Sequence, residues 1–158
     1  MNTFEHTITV DVPIRTAYNQ WTQFESFPEF MEGIITVDQI SPTETRWHAN
    51  IAGFDRAWSA EIVEQVPDKL IAWNSMYGAN NNGTVTFEAL NDNTTRVNLR
   101  IEYEPSDLVE TIGTTLGIFA TRVKNDLESF KRFIEARGKA TGAWRGKIRD
   151  AELQGSPQ

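Results

Sequence analysis

DLVETIGTTLGIFATRVKNDLESFKRFIEAR, residues 107–137, is the stretch that decides how the rest of the chain must fold. Its apolar residues fall at Val109, Ile112, Leu116, Phe119, Val123, Leu127, Phe130 and Ile134. The steps are three or four throughout, the period of one helix face. The boundaries agree with that reading. Pro105 and Ser106 break what precedes; Asp107 with Glu110 forms an N-cap and N3 pair and puts acid at the positive end of the helix dipole. Lys131, Arg132 and Arg137 put base at the other end, and Gly138 suits the residue just past it. At ~1.5 Å per residue the helix is roughly 45 Å long, and an apolar stripe of that length needs an equally long partner surface. Most of the chain before it reads as strands, so the partner is a sheet.

Working back to the N-terminus, Thr3–Val10 alternates, with Phe4, His6, Ile8 and Val10 on one face. Residues 11–22 read as a helix with Pro13 in its first turn and Ala17, Tyr18 and Trp21 on one side. FESFPEFM, residues 24–31, is a second short helical segment interrupted by Pro28. Strands are expected at 33–40, 44–52, 56–66, 69–77, 84–90 and 95–104. Turns are expected at Phe54-Asp55, Pro67-Asp68, 78–83 and 91–94. Hairpin-length connections make the sheet an antiparallel meander. The fold class is therefore α+β: a curved antiparallel sheet of about seven strands, two short helices after the first, and a long C-terminal helix. Residues 1–138 form the domain; 139–158 form a basic, small-residue tail, partly disordered, with Trp144 packing back onto the body.

Composition narrows the function. A chain of 158 residues is one domain large enough to bury its own core. It has no cysteine, which removes disulfides, thiolate nucleophiles and Cys-based metal sites. Two lone histidines, His6 on an apolar face and His48 on the solvent face, do not make a metal site, and no cofactor motif is present. A net charge of −7 argues against nucleic acid as partner. No apolar run approaches the ~18 residues of a transmembrane segment, and the first residues do not read as a secretory signal, so a cytoplasmic location is expected.

The order β-α-α-β6-α with a long last helix resembles the START-like, or Bet v 1-like, helix-grip superfamily. WTQFESFPEFM (21–31), VPDKLIAW (66–73), TTRVNLRIEYEP (94–105) and DLESFKRFIE (126–135) resemble its polyketide cyclase/dehydrase branch, which includes coenzyme Q-binding proteins. The resemblance spans about residues 3–137 and implies a cavity between sheet and helix that holds a lipid, quinone, polyketide or similar apolar molecule.

Elementary packing points the same way. A strongly curved sheet cannot touch a straight helix along its whole length, and the space left must be filled by large side chains or a ligand. The candidate lining is Trp47, Trp58, Trp73, Phe87 and Tyr103 from the sheet, Ile112, Leu116 and Phe119 from the helix, and Phe27 and Phe30 from the short segment. Core filling is the competing role for each. Ser75, Tyr103 and His6 are candidate polar anchors. Gly113 and Gly117, four apart in the helix, mark either a gate or a close packing contact. Three functions fit: a carrier of a small hydrophobic ligand, a polyketide aromatase/cyclase, or a lipid or quinone chaperone whose tail around Trp144 meets a membrane or protein. The cyclase branch implies polar and basic residues after the tryptophan of the fourth strand; here Ala60 and Ile62 stand there, with Arg56 the nearest base of the same parity. That departure favours the carrier.

Overall fold

The computed structural model describes residues 2–51, 53–77, 81–103 and 113–154. The chain order is β1 (Asn2–Val10), α1 (Ile14–Trp21), a 3-10 segment (Phe24–Glu29), β2 (Ile34–Ser41), β3 (Glu44–Ile51), β4 (Phe54–Val66), β5 (Leu70–Tyr77), β6 (Asn81–Asn91), β7 (Thr94–Tyr103), α2 (Gly113–Arg137), β8 (Lys147–Arg149) and β9 (Glu152–Gln154). The sheet runs β1-β7-β6-β5-β4-β3-β2, every pair antiparallel. β1 and β2 are sequence neighbours at opposite edges, so α1 and the 3-10 segment cross one end of the sheet between them. Register shifts in β2–β3 and β4–β5 mark bulges, which bend strands and increase their twist, and the sheet curves around α2.

Among the described residues, α2 buries the C-terminal half of the stripe read from sequence. Val123, Leu127, Phe130 and Ile134 are all buried against the core, each stabilising by roughly 1.5–3 kcal/mol relative to exposure. Its end is capped as expected: Gly138 has φ +72° and donates its N–H to the Ile134 carbonyl at 2.9 Å. Lys131 donates to the Thr9 carbonyl at 2.7 Å, and Glu135 accepts from the Asp11 N–H at 2.7 Å, so α2 is tied to the end of β1. The expected start at Asp107 and Glu110 lies outside the described residues.

Two expectations are corrected. Phe54 and Asp55 open β4; the reversal is made by Gly53 at φ +85°. Residues 81–83, expected in a loop, begin β6, where Gly83 lies opposite Trp73. The expected seven strands form the main sheet, and among the described residues it is extended by 147–154, a hairpin that sequence patterning did not assign. Its position follows from the length of β4. β4 pairs with β3 through Glu61 and with β5 through Val66, leaving its last residues unpaired on one side. β8 takes that edge, setting Arg149 opposite Glu64 and Ile148 opposite Gln65.

The segment between α2 and β8 is also fixed. Gln20, fully buried, donates to Thr141 Oγ1 at 3.1 Å and accepts from the Thr141 N–H at 2.8 Å. Trp144 packs against the core and its N–H reaches Thr22 Oγ1 at 3.1 Å. Arg145 pairs with Asp68 at 2.8 Å, donates to Asn19 Oδ1 at 2.6 Å and lies over the Tyr18 ring. Residues 155–158 lie outside the described set.

Candidate functional site

Three adjacent strands present indoles toward α2. Trp47 on β3 lies directly opposite Trp58 on β4, and the two rings stack with centroids 5.9 Å apart and planes 4° from parallel. Trp73 on β5 lies opposite Ile62 and, on its other side, opposite Gly83. Its ring occupies the space a side chain at Gly83 would need. All three indoles keep part of their surface exposed, whereas Ala49, Ala60, Ile62 and Ile71 between them are buried.

Phe27, Phe30 and Phe87 lie deeper, in a cluster of edge-to-face and tilted rings. Phe27 touches Trp21, Phe24, Phe30 and Trp47; Phe30 reaches Phe130 and Phe133 of α2; Phe87 meets Tyr18 and Trp21. The aromatic set named from sequence thus divides into a packed floor of phenylalanines and a half-exposed wall of tryptophans. Ile112 lies outside the described residues, and Tyr103, Gly113, Leu116, Gly117 and Phe119 are described only as positions on β7 and α2.

Few polar groups stand on this face. Trp47 Nε1 donates to Thr45 Oγ1 at 2.8 Å, so its N–H is already satisfied. His6 is half-buried on the parity of Phe4 and Ile8, opposite Leu99. The Ser75 N–H donates to Asn82 Oδ1 at 3.2 Å. Arg56 is half-buried opposite Ala49. His48 faces the other way, partly exposed and 4.0 Å from Asp55. Among the described residues no three His, Asp or Glu side chains gather as metal ligands, and no helix is long and apolar enough to cross a membrane.

Sequence reasoning missed a charged cluster on the flank of α2. Arg122 Nη1 donates to the Glu32 carbonyl at 3.0 Å and lies 3.7 Å from Glu32 Oε2. Asp126, one turn on, has a buried Oδ1 without a partner. Burial pushes its carboxyl up to about 7, against the pull of Arg122 and with a small push from Glu32. The available signal was a row at seven-residue spacing, Phe119, Asp126, Phe133, in which an acid interrupts two aromatics.

A family model described as polyketide cyclase / dehydrase and lipid transport matches residues 10–132. An uncharacterized 17.2 kDa protein of Streptomyces lincolnensis is 45% identical over 149 residues, 94% of this chain and 99% of that protein. Two solved structures share the fold. The Zhui aromatase/cyclase from Streptomyces sp. R1128 matches with a TM-score of 0.73 at 15% identity, over 90% of this chain and 99% of that one. A START superfamily protein from Mycobacterium smegmatis matches at 0.70 and 14%, over 85% and 95%.

Proposed function

The chain belongs to the polyketide cyclase/dehydrase and lipid transport family, and from that premise we propose that it binds a small hydrophobic molecule, of lipid, quinone or polyketide type, between the sheet and α2. The observation that carries this reading is the row Trp47, Trp58 and Trp73, half-exposed on the face turned toward α2 while their small and branched neighbours are buried. Apolar surface without a protein partner loses dispersion contacts and stays in water; a flat or chain-like apolar guest replaces both losses. Stacked indoles suit a planar ring, and the scarcity of polar groups on this face suits a guest with few of its own.

Aromatase/cyclase chemistry is the second reading, supported by the family and by the likeness to Zhui. It needs acid–base groups that enolise a ketone and expel water. Ala60 and Ile62, both buried and apolar, stand on β4 beyond Trp58, which weighs toward binding without turnover.

Native mass spectrometry of purified protein, followed by solvent extraction and titration of the extracted protein with a ubiquinone analogue and with palmitate, tests the reading. A reproducible apolar adduct, or saturable quenching of tryptophan fluorescence by either probe, is expected. A bare mass in every preparation together with no quenching overturns it. An added aromatic polyketide precursor that leaves dehydrated by one water would make the site catalytic.

A further inference from the structure

One flank of α2 meets the turn Met31–Gly33 that leads into β2. Arg122 holds that turn through its donation to the Glu32 carbonyl. Gly33 lets the two surfaces approach: a Cβ there would sit 3.0 Å from the Asn50 carbonyl oxygen and 3.7 Å from Arg122 Cζ, at a φ of +94°. The Gly33 carbonyl in turn accepts from the Asn50 N–H at 2.7 Å, joining the turn to β3. Under this clasp lie two buried polar atoms without partners, Asp126 Oδ1 and Arg122 Nε. The charged groups facing Asp126 are Arg122 from its own helix and Glu32 from the turn.

We propose that Asp126 is a proton-operated latch between α2 and the Met31–Gly33 turn: with the carboxyl neutral the turn stays down on the helix, and on ionisation it lifts and admits water. A carboxylate with one oxygen buried and without a hydrogen bond is costly, and hydration of that oxygen is its cheapest relief. The inward side of α2 offers no such route, being packed with Val123, Leu127 and Phe130. On this flank the tie between α2 and Glu32 is one guanidinium, which faces two carboxylates once Asp126 ionises, while Met31 itself stays buried in the core. Thermodynamics fixes the direction: whatever factor burial costs the ionised form in the closed state is the factor by which ionisation favours the open one. The consequence for a ligand, an opened flank beside the tryptophan wall, rests on the binding reading above; the latch itself does not.

Amide exchange of Asn50, followed by NMR on protein without added ligand at pH 6 and pH 8 and corrected for intrinsic rate, tests the latch. Protection is expected to fall about tenfold between the two, as one proton of linkage centred near neutrality requires, with Asn50 exchanging at least tenfold faster than Val97 of β7, which is paired on both sides. D126N should abolish the fall. R122Q should lower Asn50 protection at pH 6 by more than it lowers that of Val97. A carboxyl 13C titration of Asp126 near pH 4, a fall that survives in D126N, or Asn50 exchanging no faster than Val97 overturns the proposal. None of these outcomes bears on ligand binding, so the two readings fail separately.

Discussion

Asp126 is where a single residue sets a property of the whole fold. Its carboxyl is raised to about 7 by burial, against an ordinary value near 3.9 in the unfolded chain. Between those values the folded protein holds a proton that the unfolded chain has released, so stability falls as pH rises, by up to about 1.4 kcal/mol per unit, and levels off above the folded value. D126N removes the titration: it should match wild type near pH 4, exceed it in Tm at pH 8, and show a flatter Tm against pH throughout. Equal pH slopes for the two proteins would rule the burial argument out. Glu135 works in the opposite sense: burial raises it, but the hydrogen bonds from Lys131 and the Asp11 N–H outweigh that and hold it below its usual value. Trp58 offers a second test at this scale. Its ring is half-exposed and rests on Trp47, so Trp58→Ala should cost only about 1 kcal/mol of stability, the order of an aromatic pair, while weakening palmitate or quinone binding about tenfold. A large loss of stability with unchanged binding would return Trp58 to the core. The indoles were legible as inward-facing because strand alternation assigns parity. Asp126 was not, because Arg and Asp four apart on a helix read as an ordinary solvated pair, and only the turn folded over them says otherwise.

The tail shows what an element needs in order to be seen in advance. β8 and β9 are three residues each, too short for any periodicity to rise above chance. Their existence depends on β4 outrunning β3, a fact about register and not about residues 147–154 themselves. The long strands and α2 were legible because each repeats its pattern over several periods, and Gly138 marked the end of α2 for a local steric reason. The docked segment has a measurable role. Gln20 is the inner half of its clasp, and Gln20→Ala leaves the Thr141 N–H without its acceptor and opens a small void beside α1. The expected loss is roughly 1–3 kcal/mol in urea unfolding, with earlier exchange of the Thr141 and Trp144 amides. Unchanged stability would mean that Ile148, Trp144 and Arg145 hold the segment without it. Gln65 belongs to the same region: 1% exposed, it donates to the Tyr18 hydroxyl at 3.0 Å and so locks α1 to β4 beneath the tail.

For the molecule as a whole, the antiparallel meander followed from hairpin turns, whereas the placement of β1 and β2 at opposite edges was not legible in the sequence; no local signal sets which edge a strand returns to. The candidate site divides the same way: parity gave the wall of tryptophans, while the division between packed phenylalanine floor and open indole wall depends on three-dimensional curvature. That division suggests how a guest enters. The C-terminal half of α2 is anchored by Val123, Leu127, Phe130 and Ile134 and by its ties to β1. Gly113 and Gly117 sit in the other half, and glycine inside a helix costs roughly 1 kcal/mol relative to alanine. We propose that the N-terminal turns of α2 unwind or swing to pass ligand while the anchored half stays fixed. Replacing both glycines with alanine stabilises the helical state by about 1 kcal/mol, nearly all of it at Gly117 because Gly113 begins the helix, and should slow release of a bound probe up to about fivefold in stopped-flow displacement, with helix content unchanged or slightly raised. The alternative role, close packing that only glycine permits, has the opposite signature: the double variant would lose stability, and release would stay the same or quicken. Because the two outcomes differ in sign for both stability and rate, one variant measured two ways separates a hinge from a contact.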